Sequence, residues 1–267
     1  MDNTQTLDAA DLADLKLAHF LLENESLAVR LQSKLGRPIQ RGMQRLPEKW
    51  RARITKSAEK AMERALEVAV KSLGHDDDKR PQNKLHRVLA STSGAVGGAF
   101  GLAALAVELP VSTTIMLRSI AEIARAQGEN LATMDARLAC IEVFALGGRS
   151  SQDDYAETGY YAVRAVLASQ VGEVLRHLAE GTFGRTAASP VTRLISSVAA
   201  RFGVVVSEKV MATAIPVVGA AGGALVNNMF IDHFQKAAQG HFIIRRLERK
   251  YPRELVETNY RALGPAR

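Results

Sequence analysis

Two stretches without a charged residue constrain this chain more than any other feature. Residues 88–107 run for 20 positions and residues 210–231 for 22 positions without Asp, Glu, Lys or Arg, in a 267-residue sequence that is 24% charged. About 20 apolar residues in helical form can cross a bilayer core, so each stretch belongs either inside a protein core or in lipid. The polar members, Ser91, Thr92 and Ser93 in the first and Thr213, Pro216, Asn227 and Asn228 in the second, argue against a permanent span. The preferred reading is a pair of buried helices, with reversible insertion as the alternative.

Glycine placement sharpens that reading. Gly94, Gly97, Gly98 and Gly101 recur at i, i+3, i+4 and i+7, on one helix face, and Gly219 and Gly223 repeat the four-residue spacing in the second stretch. Each glycine costs a helix about 1 kcal/mol against alanine. Close backbone approach between two helices compensates for that cost, so the two stretches are expected to pack as a central hairpin.

The rest of the chain reads as helix. Leu12, Leu15, Phe20, Leu27 and Leu31 recur near helical spacing, which predicts one helix from about residue 8 to 35. Trp50, Ile54, Ala58, Ala61, Ala65 and Ala69 predict another, opened by Pro47 and stopped by Gly74. Leu109-Pro110-Val111 reads as a turn. Helices then follow over 112–127, closed by Gly128, and over 132–146, closed by Gly147-Gly148. Ser151 with Asp154 reads as a capping pair for a helix through Leu178. Ser189-Pro190 reads as the start of the next helix, and a last one passes His241 and ends before Pro252. No alternating strand pattern of useful length is present. The expected fold is all-α, roughly eight helices around the glycine-rich apolar hairpin. Residues 1–40 are expected as an N-terminal helical extension and 41–267 as the main helical domain.

Charge is distributed unevenly. The formal net charge is +7, and residues 34–64 hold ten Lys/Arg against three Glu, so that segment accounts for the whole excess. Arg45, Lys49, Arg53, Lys56, Lys60 and Arg64 are spaced as a stripe along one helix face, with Trp50 beside them. A basic flank, an apolar face and an amphipathic aromatic suit a helix lying on an anionic membrane surface. Nucleic acid is the weaker reading, because no stacking aromatics or binding motif accompany the charge.

Motifs for chemistry are scarce. The histidines, 19, 75, 86, 177, 233 and 241, offer no His-x-x-x-His pair, so no metal site is expected. Cys140 sits on a helical pattern and reads as a small core residue. The Gly94-to-Gly98 run lacks the Lys-Ser/Thr of a phosphate loop. No catalytic set and no cofactor site are expected. One possible polar site remains, formed by Asp153, Asp154, Tyr160, Tyr161 and Arg164, read first as a buried network and second as the centre of an unrecognised enzyme.

Several segments together resemble the EcsC family of bacterial proteins. They are Cys140-Ile141-Glu142-Val143-Phe144-Ala145-Leu146-Gly147-Gly148, Gly159-Tyr160-Tyr161-Ala162-Val163-Arg164, Leu109-Pro110-Val111 with Leu117-Arg118-Ser119-Ile120, and Ile215-Pro216-Val217-Val218-Gly219-Ala220. The resemblance spans roughly residues 45–250. It implies a bacterial protein with a membrane-linked role, since the family's namesake is encoded beside the subunits of an ABC-type transporter. It carries over no catalytic residues. The function expected is a non-enzymatic one, peripheral at the cytosolic face of the inner membrane. Anionic lipid is the expected partner and a membrane transporter a further one. A helical protein binding lipid or another apolar ligand is the first rival. Oligomeric state is not legible.

Overall fold

The structure, a computed structural model, describes residues 6–23, 26–35, 48–72, 102–148, 159–180, 189–213 and 219–264. Among them are nine helices and no strand: α1 (Ala9–Glu23), α2 (Leu27–Leu35), α3 (Glu48–Ser72), α4 (Leu102–Ala126), α5 (Met134–Leu146), α6 (Tyr160–Ala179), α7 (Pro190–Thr213), α8 (Gly219–Lys250) and α9 (Arg253–Ala262). The all-α expectation therefore holds.

α5 lies at the centre, and its sequence explains why. Apart from Asp135, Arg137 and Glu142, the helix MDARLACIEVFAL carries no charge on any side, and a helix that is apolar all round must be enclosed. Every residue from Leu138 to Leu146 is buried, and α3, α4, α6, α7 and α8 all pack against it. Its start is fixed by Thr133, whose side chain accepts a hydrogen bond from the Ala136 N–H. Phe144 then joins Phe202 of α7 and Phe230 and Phe234 of α8 in a continuous aromatic cluster, with ring centroids 5.2–6.0 Å apart. Such tilted and edge-on pairs add about 0.5–1.5 kcal/mol each beyond their area burial.

The 32-residue α8, about 48 Å long at 1.5 Å per residue, touches α1, α2, α4, α5, α7 and α9. It ends before Pro252, as expected. Pro252 then occupies the N-cap of α9, a short helix that the periodicity did not reveal. Pro190 opens α7 with Ser189 Oγ accepting from the Thr192 N–H at 3.2 Å. Gly128, at φ +81°, closes α4 in the left-handed conformation that glycine alone adopts without strain.

Two expectations are corrected. The helix read from 8 to 35 is two helices: α1 ends at Glu23, Ser26 is not helical, and α2 begins at Leu27. α1 lies along α8 while α2 packs on both α7 and α8, and one straight helix does not follow both paths. Pro110 does not turn the chain but sits inside α4. It removes one backbone donor, yet Leu109 and Thr113 are fully buried beside it. The hydroxyls of Ser112 and Thr114 donate to the carbonyls of Leu109 and Pro110 at 3.1 and 2.9 Å. Packing on α3 and α8 outweighs the local defect.

The glycines expected at the heart of the hairpin, Gly94, Gly97, Gly98 and Gly101, lie outside the described residues. Gly219 begins α8, and Gly223 is buried within it. The second charge-free stretch thus divides between the end of α7 and the start of α8. Among the described residues no helix is long and apolar enough to cross a membrane. Residues 1–40, read as an extension, supply α1 and α2, whose Leu15, Ala18, Leu22, Leu27 and Leu31 join the core.

Candidate functional site

Two places concentrate chemistry. The first is the outer face of α3. Ile54, Ala58, Ala61, Met62, Ala65, Leu66 and Ala69 recur every three or four residues and are all buried, against α4 and α7 in particular. Small alanines let those neighbours approach closely. The opposite face is left to solvent, and on it Lys49, Arg51, Arg53, Lys56, Lys60 and Arg64 are exposed. Trp50 is half-buried and packs on the core, while Arg45 lies outside the described residues. Arg64 and Lys71 both hold Glu67, at 2.6 and 2.7 Å, and these bonds, Lys71 first, lower the Glu67 carboxyl below its usual range. The apolar stripe that would have entered a lipid surface is therefore spent on the core. What α3 presents outward is charge.

The second place is a buried polar cluster where α1, α5, α6, α8 and α9 meet. Asp153 and Asp154 fall outside the described residues. Tyr160, Tyr161 and Arg164 are brought together at the start of α6, as read from their spacing. The Arg164 guanidinium donates two hydrogen bonds to Glu248, at 2.6 and 2.5 Å, and both side chains are only about a tenth exposed. Tyr161 reaches the same carboxylate at 3.4 Å. Tyr260 donates to Glu23 at 2.9 Å, and the Tyr160 backbone N–H donates to the same Glu23 oxygen at 3.0 Å. The three tyrosine rings stack edge-on or tilted at 5.1–5.7 Å.

Tyr160 also fixes a histidine. Its hydroxyl lies 2.8 Å from His241 Nδ1, and burial pushes the phenol well above its ordinary range. The phenol is thus the donor, Nδ1 accepts, and the imidazole proton sits on Nε2. That Nε2 is fully buried and makes no hydrogen bond among the described residues. Glu142 Oε2 stands 3.9 Å away. Burial raises the Glu142 carboxyl to about 7, against an opposing pull from Arg164, and burial holds His241 well below 6.5. Both groups are therefore driven toward neutrality, as buried and incompletely paired ionisable groups are.

The sequence reading missed Glu248, His241, Glu142, Tyr260 and Glu23 as members of this cluster. Chemically the cluster pairs most of its members with one another, His241 Nε2 excepted. Arg164 spends its two terminal nitrogens on Glu248, Tyr161 and Tyr260 face carboxylates, and Tyr160 faces His241. Cys140 is buried, its thiol donates to the Ala136 carbonyl at 3.3 Å, and burial raises it far from the thiolate range. No group of three metal-ligating side chains is found among the described residues.

The model of the EcsC protein family aligns with residues 16–247. No curated protein and no solved structure matches the chain.

Proposed function

Because the chain belongs to the EcsC protein family, and because α3 turns its basic stripe outward, we propose a non-enzymatic protein held peripherally at the cytosolic face of a bacterial inner membrane by charge. The observation that carries this reading is the exposure of Lys49, Arg53, Lys56, Lys60 and Arg64 along one helix whose apolar side is already buried. Each basic residue near an anionic leaflet contributes about 1 kcal/mol. Attachment by charge alone is reversible and weakens as salt rises, because exposed charges are screened over about 8–10 Å at physiological ionic strength. A transporter neighbour in the membrane fits the same location. The buried, internally paired state of Arg164 and the tyrosines favours a structural role for that cluster over catalysis.

Co-sedimentation with vesicles tests the reading. The chain binds vesicles rich in anionic lipid and not neutral ones, and binding falls steeply between low and physiological salt. Replacing Lys49, Arg53, Lys56 and Lys60 by Gln lowers the partition at least tenfold, with helicity and melting temperature retained because all four side chains are exposed. Equal sedimentation of parent and variant refutes it.

A further inference from the structure

A small cleft opens between α1, α2, α5 and α8, with no lining residue on α3. Phe20, Leu22 and Leu146 form its apolar wall, and Ser26, Arg30 and Lys236 form its polar side. Its volume is about 50 Å³. At roughly 10–15 Å³ for each water-sized position, it accepts a group of three to five heavy atoms. That is the size of a phosphate and too small for an acyl chain.

The polar side is built for an anion. Ser26 stands at the N-cap of α2, where a serine ordinarily gives its side-chain oxygen to the helix's own backbone N–H. Here Ser26 is 1% exposed, and its Oγ has no hydrogen-bond partner among the described residues. The first turn of α2 retains its unpaired N–H groups and the positive end of the helix dipole. Arg30 lies one turn further on, and Lys236 faces from α8. Both cations share one carboxylate, Asp232, at 2.6 and 3.0 Å, so among the described residues the rim keeps one positive charge in excess. His233, also in the lining, approaches the Gly147 carbonyl to 2.6 Å with Nε2. That bond places its proton on Nε2.

We propose that this cleft binds a phosphate group, free or carried by a lipid headgroup. Ser26 Oγ–H and the first turn of α2 take the oxygens, and Arg30 and Lys236 supply the charge. The inference goes beyond the membrane-surface reading, since none of these residues lies on α3. The two therefore fail separately.

The full chain is titrated with inorganic phosphate and with dihexanoyl phosphatidic acid below its micelle concentration, at fixed ionic strength set with chloride. Backbone amide shifts at Ser26, Arg30 and Lys236 and the His233 Nε2–H resonance are followed. Saturable shifts confined to the cleft are expected. Lys236→Gln, a change to a half-exposed side chain, weakens binding at least tenfold and leaves the fold intact. Ser26→Ala weakens it further, while the fourfold Gln variant of α3 binds as the parent does. Phosphatidic acid at least tenfold tighter than phosphate identifies a lipid headgroup as the source, and equal affinities identify a free phosphate; either supports the cleft. Shifts reproduced by chloride, shifts absent from the cleft, or parent-like affinity in Lys236→Gln overturn the proposal.

Discussion

Glu248 and Arg164 tie α6 to α8 through two short hydrogen bonds in a nearly dry setting. Removing one partner of such a pair strands the other charge, at about 3–5 kcal/mol, whereas replacing both with apolar residues is often neutral. Glu248→Gln therefore lowers stability by an amount in that range, and adding Arg164→Met restores most of it. Urea unfolding of the two variants beside the parent checks this; a Glu248→Gln chain as stable as the parent rules it out. Half of this pair was legible. Tyr160, Tyr161 and Arg164 share a helix face and read as one polar group. Their carboxylate lies 84 positions beyond Arg164, within Arg245-Arg246-Leu247-Glu248-Arg249-Lys250, where dense, mostly basic charge looks like a solvated surface. Periodicity tells which residues share a face but not which neighbour covers it. Cys140 was legible as core because Ala136, Ala139, Ile141, Val143 and Phe144 around it are apolar.

At the scale of elements, glycine decides how closely helices approach. A Cβ at Gly148 would lie 2.6 Å from the Arg201 backbone oxygen, one at Gly147 2.8 Å from the Phe234 ring, and one at Gly240 2.7 Å from Leu22. Gly147 has an ordinary helical φ of −73°, so its glycine answers to contact distance and not to chain reversal. In the sequence the pair reads as a helix stop. Close packing is expected instead at residues 94–101, because four glycines at helical spacing are visible in one dimension and a lone glycine at a crossing is not. The same physics gives opposite signs at two positions. Gly148→Ala drives a methyl into backbone that has no rotamer to change, and costs roughly 1–3 kcal/mol. Gly172 is exposed in α6 with nothing within 4 Å, so Gly172→Ala gains about 0.5–1 kcal/mol from helix propensity. Thermal melts should order the three chains as Gly172→Ala, parent, Gly148→Ala, and a Gly148→Ala chain melting with the parent contradicts the close approach.

For the molecule as a whole, burial sets how stability responds to acid. His233 is lowered to about 4 by burial, despite its bond to Gly147, and His241 is lowered well below 6.5. Both stay neutral in the fold, while an unfolded chain protonates them below about 6.5. Their contribution is therefore complete above pH 6.5 and is lost as pH falls. Glu142 acts in the opposite sense. Its carboxyl is raised from 4.5 to about 7, so between those values the fold holds a proton that the unfolded chain has released. Between pH 5 and 6, unfolding takes up about two protons at the histidines and gives up about one from Glu142, a net uptake of about one. Stability should then rise with pH across that window, by roughly 1 kcal/mol per pH unit for one net proton. Glu142→Gln removes the opposing proton, so its slope should be about twice as steep. Above pH 7 the variant should be the more stable of the two, because a neutral amide replaces a carboxylate that burial disfavours. Urea midpoints measured from pH 5 to 8 give both slopes, and parallel lines for parent and variant would show that Glu142 does not hold the proton.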